Sequence, residues 1–194
     1  TSCQDEKVLG VNPGEEAVVS FNIGTPQIAT RAFSDGTTAT QLQYAVYDEN
    51  GNILPDLTVT DATINIRQTV NLKLTTGNKY TVVFWAAEPN APYAVDFAAK
   101  TMTVDYAAAK TIANDEKRDA FLNDTTFTVS GNMAMDVHLR RPFAQLNIGT
   151  SDYADSKSAG YEVTKTSVKI PAYQTLNIID GEVSTPVTVT YDWA

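Results

Sequence analysis

Few side chains in this 194-residue chain suit reactive chemistry, and they lie far apart. Cys3 is the one cysteine and His138 the one histidine. A single thiol closes no internal disulfide, and nothing around Cys3 has metal-ligand spacing. With one histidine, Cys-His dyads and histidine-rich zinc sites lack material, and no serine carries the glycines of a nucleophile elbow. His138 alternates with Val137 and Leu139, so it is expected on the solvated face of a strand. Carboxylates are numerous enough for a glycosidase pair, yet no spacing singles out two of them. Asp48-Glu49-Asn50-Gly51-Asn52 has the acids of a calcium loop, but its glycine comes fourth instead of sixth, and no glutamate closes the twelfth position. The expectation is a protein without catalytic residues, metal or cofactor.

Cys3 has a different use. Thr1-Ser2 before it and Gln4-Asp5-Glu6 after it form the pattern with which a lipoprotein begins, the cysteine becoming the acylated first residue. Lipidation of Cys3 would tether the chain to a membrane surface, firmly if several acyl chains are attached. The other reading is an incidental cysteine in a frayed tail. No apolar run approaches the ~20 residues of a spanning helix. The 14 basic and 23 acidic residues leave a net charge of −9 with no basic run. Nucleic acid is excluded as a partner, because phosphate neutralisation needs clustered Lys and Arg.

The elements that must carry any site are strands. Ile64, Ile66, Val70, Leu72 and Leu74 fall on one face of an alternating run, with Asn65, Arg67, Thr69, Asn71 and Lys73 on the other. Val19, Phe21 and Ile23 share a face in the first run, Leu42, Tyr44 and Val46 in the next, and Met102, Val104 and Tyr106 in a later one. Val187, Val189, Tyr191 and Trp193 alternate near the C-terminus. From Tyr80 to Ala86 both faces are apolar, which predicts a central strand buried on both sides. Asn50-Gly51 predicts a type I′ hairpin, and Gly77-Asn78 and Asp180-Gly181 predict further turns. Residues 115–122 are expected as the one short helix, capped by Asn114 or Asp115. Apolar parity changes between Val137-Leu139 and Ala144-Leu146-Ile148, which predicts a bulge or strand break at Arg141-Pro142. Short strands without βαβ alternation make an all-β, antiparallel two-sheet β-sandwich.

Between the first two strand runs lies Ile28-Ala29-Thr30-Arg31-Ala32-Phe33, a polar connection of the kind proteases cut. From spacing alone, Arg31 reads as an ordinary surface arginine in an ordinary connection. Taken with Thr1-Ser2-Cys3, Ala120-Phe121 after Asp115-Glu116-Lys117-Arg118, Arg141-Pro142-Phe143-Ala144-Gln145-Leu146-Asn147, and Leu176 to Ser184, this segment resembles the fimbrillin family. These are the type V pilins and associated surface lipoproteins of Bacteroidales. The resemblance implies a transthyretin-like sandwich corresponding to that family's N-terminal domain. Residues 1–15 would be the lipoprotein tail and 16–194 the sandwich, with the C-terminal domain expected beyond Ala194. It also implies an outer-membrane lipoprotein of the fimbrium, processed by a trypsin-like protease at the Arg31–Ala32 bond. Loss of the first strand, residues 17–23, would then vacate a groove filled by Val19, Phe21 and Ile23, and another pilin subunit would donate a strand into it. Anchor and tip members of that family keep their N-terminus. Asp124-Thr125-Thr126 resembles an O-glycosylation acceptor of these bacteria at Thr125. The competing function is a glycan-binding surface lipoprotein, with Tyr47, Tyr93, Tyr153, Tyr161, Tyr173 and Trp193 as candidate platform aromatics.

Overall fold

The computed structural model describes residues 12–24, 36–63, 67–107, 115–144, 146 and 148–193. Its centre is a four-stranded sheet in the order β3-β2-β5-β8, from Val59–Thr63, Gln41–Tyr47, Lys79–Ala87 and Ala120–Thr128. All its pairings are antiparallel. As the composition of β5 requires, both faces of this sheet are covered. Leu42, Val46, Val82, Phe84 and Phe121 enter one core, while Ala45, Tyr47, Val83, Trp85 and Ala120 enter another.

The first core is closed by a sheet of order β4-β1-β9, from Arg67–Thr75, Glu16–Gly24 and Met133–His138. Val70, Leu72 and Leu74 point into it and Asn71 and Lys73 outward, as their alternation predicts. Ile64, Asn65 and Ile66 lie outside the described residues. These two sheets form the expected all-β sandwich. Two features go beyond that expectation. β1 and β9 run parallel, and a third sheet of order β11-β10-β7-β6 covers the far face of the central one. Its strands are Val183–Trp193, Thr166–Asn177, Thr101–Val104 and Tyr93–Asp96. Met102, Val104, Leu176 and Ile178 meet Trp85 and Tyr47 in the second core.

Three local expectations are corrected. Residues 115–122 form no helix: Glu116–Arg118 make a single 3-10 turn and β8 begins at Ala120. Ala120 and Phe121 must reach opposite cores, which a strand allows and a helix does not. Asp115 still holds the turn, its carboxylate accepting from the Lys117 amide at 3.2 Å. The one short α-helix among the described residues is instead α1, Tyr153–Ser158, which buries no side chain and so leaves no apolar stripe. At Asn50-Gly51 only the glycine has positive φ, 78°, so the turn is not type I′. Asp48 organises it, its Oδ1 accepting from the amides of Asn50 and Asn52. After β9, the expected strand break at Arg141-Pro142 is present, with one bridge between Leu122 and Arg140. The alternation of Ala144, Leu146 and Ile148 makes no strand, and Leu146 is 64% exposed.

Candidate strand-exchange site

β1 reads Glu-Ala-Val-Val-Ser-Phe-Asn-Ile-Gly, and its burial follows the alternation without exception. Val19 and Phe21 are fully buried, Ala17 and Ile23 nearly so. The Phe21 ring lies 5.3 Å from that of Phe84 and 5.6 Å from that of Phe127, tilted to the first and edge-on to the second. Such geometry favours aromatic quadrupoles beyond simple area burial. Val19, Phe21 and Ile23 each contribute about 1.5–3 kcal/mol of transfer free energy. The sequence-predicted groove residues are therefore brought together on one face, in one core.

The backbone of β1 is used on both sides. It pairs antiparallel with β4 over nine positions, from Glu16 opposite Thr75 to Gly24 opposite Arg67. It pairs parallel with β9 from Val19 opposite Met133 to Gly24 opposite His138. Where β9 has not yet begun, the Val18 amide donates to Asn132 Oδ1 at 2.8 Å. At the other end, the Leu139 amide donates to the Gly24 carbonyl at 3.1 Å. Outside the core, Ser20 Oγ donates to Asn71 Oδ1 at 2.7 Å and Asn22 Nδ2 to Asp136 Oδ1 at 3.0 Å. Thr69 Oγ1 donates to Asn22 Oδ1 at 3.2 Å. A Lys73–Glu16 ion pair at 3.1 Å is exposed and contributes little. β1 is thus the middle strand of its sheet, although it is the first element among the described residues.

The remaining predicted residues separate into groups. Cys3, Arg31 and Ala32 lie outside the described residues; Arg31 and Ala32 fall between Gly24, where β1 ends, and Gly36. Thr125 is half-buried on β8, its Oγ1 donating to Asn123 Oδ1 at 2.9 Å. His138 is exposed, as its parity predicts. One of the platform aromatics is corrected. Tyr47 is fully buried, its hydroxyl donating to the Phe97 carbonyl at 2.7 Å, and burial, with Asp96 second, pushes its pKa up to about 12. Tyr93 stacks on Phe143 at 5.3 Å and meets Trp85 edge-on at 5.6 Å. Its hydroxyl donates to the Arg118 carbonyl, and burial raises its pKa. Tyr153, Tyr161 and Tyr173 are exposed; the Trp193 side chain lies outside the described groups.

One cluster had no signal in the sequence. Arg141 makes a two-pronged contact with Asp119, Nε to Oδ1 at 3.0 Å and Nη2 to Oδ2 at 2.8 Å, and lies 4.9 Å over the Phe121 ring. It ties the chain after β9 to the start of β8. The pair is 22 residues apart in a region without periodicity, so spacing could not reveal it. Among the described residues, no group of three or more His, Cys, Asp or Glu could hold a metal ion. No helix among them is long and apolar enough to cross a membrane.

The family model described as "Family of unknown function (DUF6562)" matches residues 11–194. No curated protein matches the chain. Among solved structures, a DUF1812 protein of Bacteroides thetaiotaomicron, provisionally described as polysaccharide binding, superposes with a TM-score of 0.51 at 13% identity, covering 90% of this chain and 64% of that one. The fimbrial anchor protein Mfa2 of Porphyromonas gingivalis gives 0.49 at 10% identity, covering 90% and 66%. A fimbrial assembly protein of Parabacteroides distasonis gives 0.42 at 14%, covering 92% and 76%. The chain spans less than two thirds of the length of the DUF1812 protein. At these identities the likeness to the DUF1812 protein is one of fold.

Proposed function

The chain belongs to the DUF6562 family, whose description assigns no activity, and we propose that it is a non-enzymatic cell-surface protein of the fimbrillin type. In this reading it is a fimbrial subunit or fimbrillin-like lipoprotein, held at the outer membrane by lipidated Cys3. Cleavage at Arg31–Ala32 frees β1, and a strand from another subunit takes its place. The observation that carries the reading is the position of β1. It is the first strand among the described residues, it fills the middle of a sheet, and a segment containing one arginine joins it to the rest. Its departure would leave β4 and β9 with unpaired backbone facing each other across an apolar slot. One added strand would satisfy both at once. Thr125, half-buried on β8, is proposed as an O-glycan acceptor.

Limiting trypsin followed by intact-mass analysis tests the cleavage. The expected result is a first cut after Arg31, with β1 retained until a competing alternating apolar peptide displaces it. Early cuts spread over the other Lys and Arg residues, with no peptide uptake, would count against the reading.

A second reading, glycan binding at the cell surface, has an observation of its own. Tyr161 is 73% exposed, with Tyr153 and Tyr173 also accessible. A cavity of about 870 Å³ is lined by Asn90, Thr103, Gln174, Thr175 and Arg118 among others, all able to bond hydroxyls. Retention on a defined polysaccharide gel, lost on Tyr161→Ala or Gln174→Ala, would favour it.

A further inference from the structure

We infer that Asn22 is the residue that sets register and partner identity in the slot between β4 and β9, so that a segment replacing β1 must carry an amide there. The inference rests on the exchange reading above for its biological setting, and on the outward face of β1 for its chemistry. The inward face cannot fix register by alternation alone. Sliding β1 by two residues keeps Ala17, Val19, Phe21 and Ile23 all pointing inward, since the side-chain period of a strand is two. Only the fit of the Phe21 ring between Phe84 and Phe127 opposes such a slide from within.

The outward face adds a discrimination that apolar packing cannot make, between strands of the same inward pattern. The Asn22 amide spans three strands: its nitrogen donates to Asp136 on β9, and its oxygen accepts from Thr69 on β4. An amide has a donor and an acceptor on separate atoms, so it can serve both sides at once. An aspartate could accept from Thr69 but would meet Asp136 as a like charge. An apolar side chain would serve neither. Two residues earlier, Ser20 is matched to Asn71 alone. A slide by two would place Ser20 or Gly24 between Thr69 and Asp136 and break this pattern.

The chain itself contains the segment that such a filter must reject. β11 repeats the inward pattern of β1, with Val187, Val189 and Tyr191 alternating with Thr188, Thr190 and Asp192. Aligned so that Tyr191 replaces Phe21, Thr190 takes the place of Ser20 and Asp192 that of Asn22. Inside, Tyr191 would bring a hydroxyl into the Phe21 site and Trp193 a larger side chain into that of Ile23, and outside, Asp192 would oppose Asp136. The slot thus refuses the chain's own β11 and accepts a strand with an amide at that one position.

The test uses chain cut after Arg31 and labelled peptides corresponding to residues 16–24, with capture read by fluorescence anisotropy. The wild-type peptide should displace resident β1, and the Asn22→Asp peptide should be captured at least tenfold more weakly. In a host carrying Asp136→Asn the Asn22→Asp peptide should recover to within about threefold, because the new amide can donate to the peptide carboxylate. Equal capture of the two peptides by the wild-type host would overturn the role of Asn22 while leaving exchange intact. Capture of neither would remove exchange, and the uncut chain then decides the chemistry. There Asn22→Asp, Asp136→Asn and the double variant are compared by urea unfolding. Recovery in the double variant supports the lock, and strictly additive losses overturn it.

Discussion

Replacing Phe21 by alanine removes the largest side chain that β1 places in the sandwich. The ring is fully buried and packed between Phe84 and Phe127. A fully buried Phe→Ala change costs about 3–5 kcal/mol in transfer and cavity terms together. The upper half of that range applies here for two reasons. Two edge or tilted aromatic contacts, ~0.5–1.5 kcal/mol each, disappear with the ring. The site also cannot collapse easily, because β1 is held between β4 and β9 by backbone pairing along both edges. We expect a loss of about 4 kcal/mol, a large part of the ~5–15 kcal/mol that holds a domain folded. Urea unfolding should show the midpoint falling by roughly 2 M at an unchanged slope of ~2 kcal/mol/M. Thermal midpoints should drop by about 8–16 °C for a chain of this size. In chain cut after Arg31, β1 should also leave far sooner. A loss below about 1 kcal/mol, the size expected of an ordinary surface change, would refute the packing on which the exchange argument stands.

Other consequences follow from the same geometry. Val18→Ala should change stability by under about 0.5 kcal/mol and Val19→Ala by about 2–4 kcal/mol in the same assay, since the first points outward and the second inward. Gly36→Ala should cost about 2–4 kcal/mol, because φ is +80° and the new Cβ would lie 2.9 Å from Phe121 Cζ. Asp119→Asn should lower stability by ~2–4 kcal/mol in urea, as Arg141 keeps its charge in a largely buried place without its carboxylate. For Tyr47 the sign is fixed by its raised pKa of about 12 against an ordinary 10. The unfolded chain loses that proton first, so stability is complete below pH 10 and falls as pH rises toward 12. Tyr47→Phe should make unfolding flatter across pH 10–12, measured by chemical denaturation at each pH.

Much of the frame was legible because alternation reports which side chains are buried. It identified the inward faces of β1, β4 and β7, and the two apolar faces of β5 required cover on both sides. Alternation does not report which strand lies alongside. Nothing local distinguishes Met133–His138 as the parallel neighbour of a strand more than 100 residues earlier, and the third sheet was missed for the same reason. Residues 115–122 misled because an acidic start suits a helix and a tight turn alike, whereas the opposite burial of Ala120 and Phe121 is set by tertiary packing. Tyr47 reads as a candidate surface aromatic because the sequence hides the Phe97 carbonyl, the partner that lets its hydroxyl go inside. Asn22 carries no signal in the sequence, since its bridging role needs β4 and β9 in place together.

The most direct test asks whether β1 of one molecule can occupy the slot of another. Val18 on β1 faces Lys73 on β4, and both side chains point outward. One batch of chain would carry Val18→Cys and a second Lys73→Cys, each with Cys3→Ser to remove the native thiol. Both are cut after Arg31, mixed, and oxidised. A disulfide joining residue 18 of one chain to residue 73 of the other, formed after cutting and absent from uncut mixtures, is the predicted result. Cut mixtures that never form this link, while a single chain carrying both cysteines forms it readily, would contradict the account.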